Sequence, residues 1–117
     1  GVIGEVKGKN CIIIDDMVDT AGTLVAAVDV LKAEGAEKVY CCCTHPLLSG
    51  PAIERINNSK LEKFVCTNTI ELSDEAKNCE KIVQLSIAKV FGQGIMNIID
   101  DKPISQLFDY NRRGKNE

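Results

Sequence analysis

Residues 12–23, "IIIDDMVDTAGT", set three aspartates directly after an apolar run and close on a turn of small residues. The β-branched run is a strand signal. Beyond the turn, Leu24, Ala27, Val28 and Leu31 stand at i, i+3, i+4 and i+7, one stripe of an amphipathic helix that Gly35 is placed to end. "KVYCCCT" (38–44) then reads as a second buried strand. Strand, helix, strand is the βαβ unit, whose crossover is right-handed and whose strands run parallel. The first strand, Cys11–Asp15, is continuously apolar up to its final residue, which predicts burial on both faces.

Working outward, "GEVKGKNCIIID" (4–15) predicts a short N-terminal hairpin turning at Lys7 to Asn10. "SGPAIERINNS" (49–59) predicts a short helix with Ser49 as N-cap, Pro51 near the first helical position and Asn57-Asn58 as its stop. "KFVCTN" (63–68) is a third strand, "TIELSDEAKN" (69–78) a polar connection and "KIVQLSI" (81–87) a fourth strand. Ala88, Phe91, Ile95 and Ile98 mark a final helix, in which Gly92 and Gly94 permit close packing or a bend. The expected class is α/β, a mostly parallel sheet flanked by helices with the hairpin in front. Residues 1–110 are read as one domain and 111–117, "NRRGKNE", as a disordered polar tail.

Composition narrows the function. Across 117 residues, 14 Lys and Arg face 17 Asp and Glu, so no broad cationic face for nucleic acid is evident. No apolar run approaches the roughly 20 residues that span a bilayer. The opening Gly1-Val2-Ile3-Gly4 lacks Met and any leader-like segment, and reads as an internal cut. Six cysteines without secretory context fit a reducing cytosol, each packing as a small hydrophobe. The competing reading is metal, since Cys41, Cys43 and His45 alternate onto one face of an extended strand. That set lacks a CxxC pair and a fourth ligand, so packing is the better reading.

The acidic turn poses the sharper question. In open α/β sheets ligands bind beyond the carboxyl ends of strands, which is where residues 15–23 lie. Ala21 and Gly22 leave the backbone open to close approach, Gly22 can take a positive φ, and the first helical N–H groups lack internal partners. Such amides suit a phosphate monoester, with Thr20 and Thr23 adding hydroxyl donors. Asp15 and Asp16 would repel that phosphate, but they suit the hydroxyls of a sugar beside it, or a hydrated Mg2+. Asp19 can cap the turn. The plain alternative is that Asp19 or Thr20 merely caps a helix while the acidic pair faces water. Walker and dinucleotide fingerprints are absent.

At these residues the chain resembles the ribose-phosphate pyrophosphokinase family of the phosphoribosyltransferase fold. "IIIDDMVDTAGT" is similar to its phosphoribosyl-diphosphate motif, and "THPLLSGPAIERINNS", "VCTNTI" and "PISQLF" resemble its C-terminal half in order and spacing. The likeness runs from about Val2 to Phe108. It implies transfer of the β,γ-diphosphoryl group of ATP to the C1 hydroxyl of ribose 5-phosphate, with Mg2+, giving PRPP and AMP. It implies that Asp19, Thr20, Ala21, Gly22 and Thr23 hold the 5-phosphate while Asp15 and Asp16 engage ribose hydroxyls and metal. It also implies a homo-oligomer, a hexamer in the family, with a regulatory phosphate or ADP site to which Ser105 corresponds, although Pro103 and Gln106 depart from the family pattern there. The family's basic catalytic loop, nucleotide pocket and metal-binding histidine belong to an N-terminal half, so no catalytic residue is expected in this chain. A regulatory or accessory homologue using the same loop, or a phosphoribosyltransferase, are the alternatives.

Overall fold

The computed structural model describes residues 4–86, which make up most of the first of two compact units, 1–84 and 85–117. The elements run β1 (Cys11–Val18), α1 (Gly22–Ala33), β2 (Val39–Pro46), α2 (Ala52–Asn58), β3 (Lys63–Thr67), α3 (Asp74–Lys77) and β4 (Ile82–Leu85). They form a four-stranded sheet in the order β1-β2-β3-β4. β1 pairs with β2 in parallel from Cys11 opposite Val39 to Val18 opposite Pro46, and β2 pairs in parallel with β3. The expected α/β class with a parallel sheet is observed.

Register fixes the faces. Ile13, Cys41 and Phe64 are cross-strand partners, as are Cys43 and Cys66, so their side chains share one side of the sheet. That side forms a single core with Leu24 and Val28 of α1, Ala52, Ile53 and Ile56 of α2, and Ala76 of α3. The reason is topological. Strands laid down in one direction by right-handed crossovers place every connecting helix on the same face. The other face carries Ile12, Ile14, Cys42 and Val65, and Ile14 is 85% exposed there. The burial of β1 on both faces predicted from its apolar run is therefore not observed among the described residues.

Three local expectations are corrected. No N-terminal hairpin forms within the described residues: Lys9 closes a turn on the Val6 carbonyl, after which Gly8 donates to Gly35, Glu37 to Lys9 and Cys11 to Lys38. Residues 6–11 thus line the turn between α1 and β2. Gly35, at φ +93°, lets it pass, because a Cβ there would lie 3.1 Å from Cγ of Lys7. Ser49 is not the side-chain cap of α2; Pro51 is the N-cap residue, and Ser49 serves through its carbonyl, which accepts from Ala52. The connection 69–78 contains α3, whose N-cap Ser73 accepts from Ala76 N at 3.2 Å, with Asp74 and Glu75 in the first turn. Ser followed by two acids is a helix-start signal that composition alone obscured. The final helix, Ser105 and the tail 111–117 lie outside the described residues.

Cysteines act as core atoms. Cys41, Cys43 and Cys66 are buried and, like Cys11, Cys42 and Cys79, unbridged. Burial pushes the Cys66 thiol up to about 12, with Cys43 adding to it, and raises Cys41 well above the ordinary thiol range. A raised folded pKa contributes stability that is complete below the unfolded value near 9 and is lost as pH rises toward the folded one. Urea midpoints in reducing buffer should therefore fall between pH 9 and 11, and Cys66→Ala should make the fall shallower. A parallel pH slope in the variant would show that thiol burial is not its cause.

Candidate functional site

β1 carries Asp15 and Asp16 to the carboxyl end of the sheet, and the chain turns there into α1. Ala21 makes the turn: it is the N-cap residue, buried, at φ 65° and ψ 8°, and no side chain caps the helix. Two expectations change. The left-handed residue is Ala21 rather than Gly22, and neither Asp19 nor Thr20 caps α1. Gly22 instead supplies room, since a Cβ on it would lie 3.2 Å from Nη1 of Arg55.

The geometry of the loop follows from its carbonyls. Val18 O accepts from Leu48 N at 3.2 Å, Asp19 O from Ser49 N at 2.8 Å, and Thr20 O from Arg55 Nη1 at 3.0 Å. Three successive carbonyls are thus held by the segment that joins β2 to α2 and by Arg55 of α2. In a trans peptide the N–H points opposite to the C=O, and no cis bond occurs among the described residues. The amides of Asp19, Thr20 and Ala21 must therefore face away from that segment. Those of Gly22, Thr23 and Leu24 open the helix, and none of the six finds an acceptor among the described residues. The result is a row of amide donors backed by a helix N-terminus, which suits a phosphate or other oxyanion.

Side chains complete the surroundings. Thr20 and Thr23 are exposed beside these amides, as is Asp19. Asp15 is half-buried opposite Cys43, its Oδ1 accepting from Met17 N at 3.4 Å, while Asp16 is exposed. Among the described residues no three His, Cys, Asp or Glu side chains gather to hold a metal ion. The donor set does fit Mg2+, which takes one or two carboxylates and fills its octahedron with water and phosphate oxygens.

At the end of β2, His45 stands opposite Met17 of β1, half-buried. Its Nδ1 lies 3.1 Å from Thr69 Oγ1. Thr67 and Thr69 donate their hydroxyls to Thr44 O at 2.6 and 2.8 Å. With the Thr69 proton committed to Thr44 O, the tautomer that fits this contact has Nδ1 of His45 donating to Thr69 Oγ1. His45 is thus held by the Thr69 side chain while Cys41 and Cys43 turn into the core, and among the described residues the three do not gather as metal ligands. Sequence spacing did not reveal Arg55 as a neighbour of the loop, because 35 residues separate it from Thr20.

The profile of the phosphoribosyl synthetase-associated domain matches residues 1–109. The chain belongs to that family. Ribose-phosphate pyrophosphokinase 1 of Lactococcus lactis subsp. lactis is 55% identical over 108 residues, covering 92% of this chain and 33% of its own. The ribose-phosphate pyrophosphokinase of Bordetella pertussis is 55% identical over 107 residues, with 92% and 34% covered. Phosphoribosylpyrophosphate synthetase from Mycobacterium smegmatis superposes with a TM-score of 0.70 at 36% identity, across 85% of this chain and 33% of that one. This member of the synthetase-associated family therefore spans about a third of the length of the curated relatives it matches. That corrects the expected C-terminal half: the matched span is a third, not a half. No helix among the described residues is long and apolar enough to cross a membrane.

The tautomer at His45 is directly measurable. Long-range proton–nitrogen correlation at pH 8 should place the ring hydrogen on Nδ1, and Thr69→Val should shift it toward Nε2. An Nε2–H form in the unsubstituted chain would reverse the donor assignment.

Proposed function

We propose that this chain is the ribose 5-phosphate-binding part of a ribose-phosphate pyrophosphokinase. The complete enzyme transfers the β,γ-diphosphoryl group of ATP to the C1 hydroxyl of ribose 5-phosphate, giving PRPP and AMP. The observation that carries this reading is the opposition of donors and acceptors at the end of β1. Six amides from Asp19 to Leu24, without an acceptor among the described residues, follow Asp15 and Asp16 in the chain, an arrangement for a molecule that is phosphate at one end and polyol at the other. The pyrophosphokinase names of the relatives support this over an accessory homologue or a phosphoribosyltransferase.

In this reading the amides of residues 19–24 and the hydroxyls of Thr20 and Thr23 grip the 5-phosphate. Asp15 and Asp16 accept from ring hydroxyls and fix which face of C1 is presented. Orientation of this kind converts an encounter into a near-attack geometry, the larger part of what a protein contributes to phosphoryl transfer. Mg2+, held by Asp15 or Asp16 together with phosphate oxygens, supplies charge neutralisation when bound. The remaining cations and the nucleotide pocket come from the rest of the longer chain, so 1–117 alone binds without catalysing. A cytoplasmic homo-oligomer, hexameric as the resemblance implies, and a regulatory phosphate or ADP site at Ser105 belong to the same proposal.

Calorimetry with two ligands tests the division of labour. Asp15→Asn keeps Oδ1 as an acceptor for Met17 N but removes the charge, so inorganic phosphate should bind within twofold of the original. Ribose 5-phosphate should bind about tenfold more weakly, the scale of one hydrogen bond to a charged group. Equal losses for the two ligands would remove Asp15 from sugar recognition. Purified 1–117 given ATP, Mg2+ and ribose 5-phosphate should form no PRPP, and a reproducible product would show that the cations lie within this chain after all.

A further inference from the structure

Among the described residues only two other than glycine hold a positive φ, Ala21 at 65° and Leu48 at 52°. A left-handed alanine or leucine is sterically disfavoured, so such residues persist where surrounding contacts over-determine them. These two meet across one seam: Leu48 N reaches Val18 O, Ser49 N reaches Asp19 O, and Arg55 Nη1 reaches Thr20 O. The first two donors are backbone and follow β2 directly. The third is a side chain from α2, and among the described residues it alone holds the carbonyl that precedes the left-handed Ala21. The same nitrogen occupies the space that glycine leaves at position 22.

We infer that Arg55 is a positioning residue for the phosphate loop. By drawing Thr20 O toward α2, it turns the Ala21 amide outward and fixes the left-handed step that starts α1. Three consequences follow from that geometry. Gly22 is small because the guanidinium lies against it. Lysine cannot replace arginine fully, since an ammonium on a flexible stem is held in place less rigidly than a planar guanidinium whose Nη1 lies against both Thr20 O and Gly22. The stretch "SGPAIER", with no ligand-binding role assigned to it above, serves the site from behind. This inference rests on the loop being a phosphate site, and the experiment separates the two.

The natural full-length chain carrying these residues is compared with Arg55→Met, Arg55→Lys, Gly22→Ala and the double variant Gly22→Ala/Arg55→Met, each first checked for folding by circular dichroism. Ligand-free hydrogen exchange at the amides of residues 19–24 should accelerate in Arg55→Met and less in Arg55→Lys. KM for ribose 5-phosphate should rise about tenfold in Arg55→Met, with KM for ATP unchanged and kcat altered less than threefold. Inorganic phosphate should weaken by the same factor as ribose 5-phosphate, because the loop and not the sugar contact is disturbed. Gly22→Ala should reproduce these effects with Arg55 intact, and the double variant should be no worse than Arg55→Met. Unchanged loop exchange and unchanged affinities in Arg55→Met, or strictly additive losses in the double variant, would overturn the inference. If Arg55→Met does not fold, Arg55→Lys and Gly22→Ala decide it on the same readouts. Altered loop exchange in a parent chain that binds no phosphate would leave Arg55 as the loop's brace and reject the function instead.

Discussion

The planarity of the peptide bond is the constraint on which the candidate site depends. A carbonyl bound on one side forces the following N–H to the other, so three carbonyls tied to the 48–55 segment commit the next three amides to the opposite side. No side chain of the loop has to be oriented for this to happen. The donors are therefore set before any ligand arrives, and the αL step at Ala21 is the local conformation that allows it. Residues of the loop that look like the recognition elements, Asp19 and Thr20, contribute their backbones first.

What makes the brace available is the parallel sheet. β1 and β2 end side by side, Val18 opposite Pro46, so the chain leaving β2 passes directly behind the chain leaving β1. An antiparallel pair would send those two ends apart. Right-handed crossovers then bring α2 down on the same face as α1, which puts the first turn of α2 within reach of the start of α1. The core of Val28, Ile56, Phe64 and the thiols on that face fixes the distance between the two helices. Packing and site geometry are thus consequences of one topology.

The reading from sequence succeeded where periodicity decides. The stripe Leu24, Ala27, Val28 and Leu31 marked α1, and the apolar runs marked β1, β2 and β3, because burial imposes a repeat on adjacent residues. It went wrong over the stretch before β1, where a Lys-Gly turn looks alike whether it closes a hairpin or lines a helix–strand turn. It misplaced the left-handed residue, since glycine is the ordinary choice, whereas the residue at φ 65° is Ala21, whose neighbouring carbonyls are bound by Arg55 and the Leu48–Ser49 amides. Arg55 was illegible for the same reason: nothing local distinguishes a solvent-facing arginine of a short helix from one reaching a carbonyl in another element. The loop's chemistry was legible, and its support was not.

The thiol core has a consequence for lifetime. Folded, Cys41, Cys43 and Cys66 are buried with their thiol pKa values raised, so an oxidant finds little to attack at these three. Unfolded, the same side chains regain an ordinary thiol pKa and stand in an open chain, Cys41 and Cys43 flanking a further thiol at Cys42. Any bridge or sulfenic acid formed there blocks return, because the native core has no space for it and Cys41 and Cys43 pack as separate thiols. Under oxidising conditions each opening thus risks being the last, and survival is governed by how often the chain opens rather than by how much thiol the native surface exposes. A ligand that holds the loop between β1 and α1 closed would, by the same kinetics, act as an antioxidant for the protein that binds it.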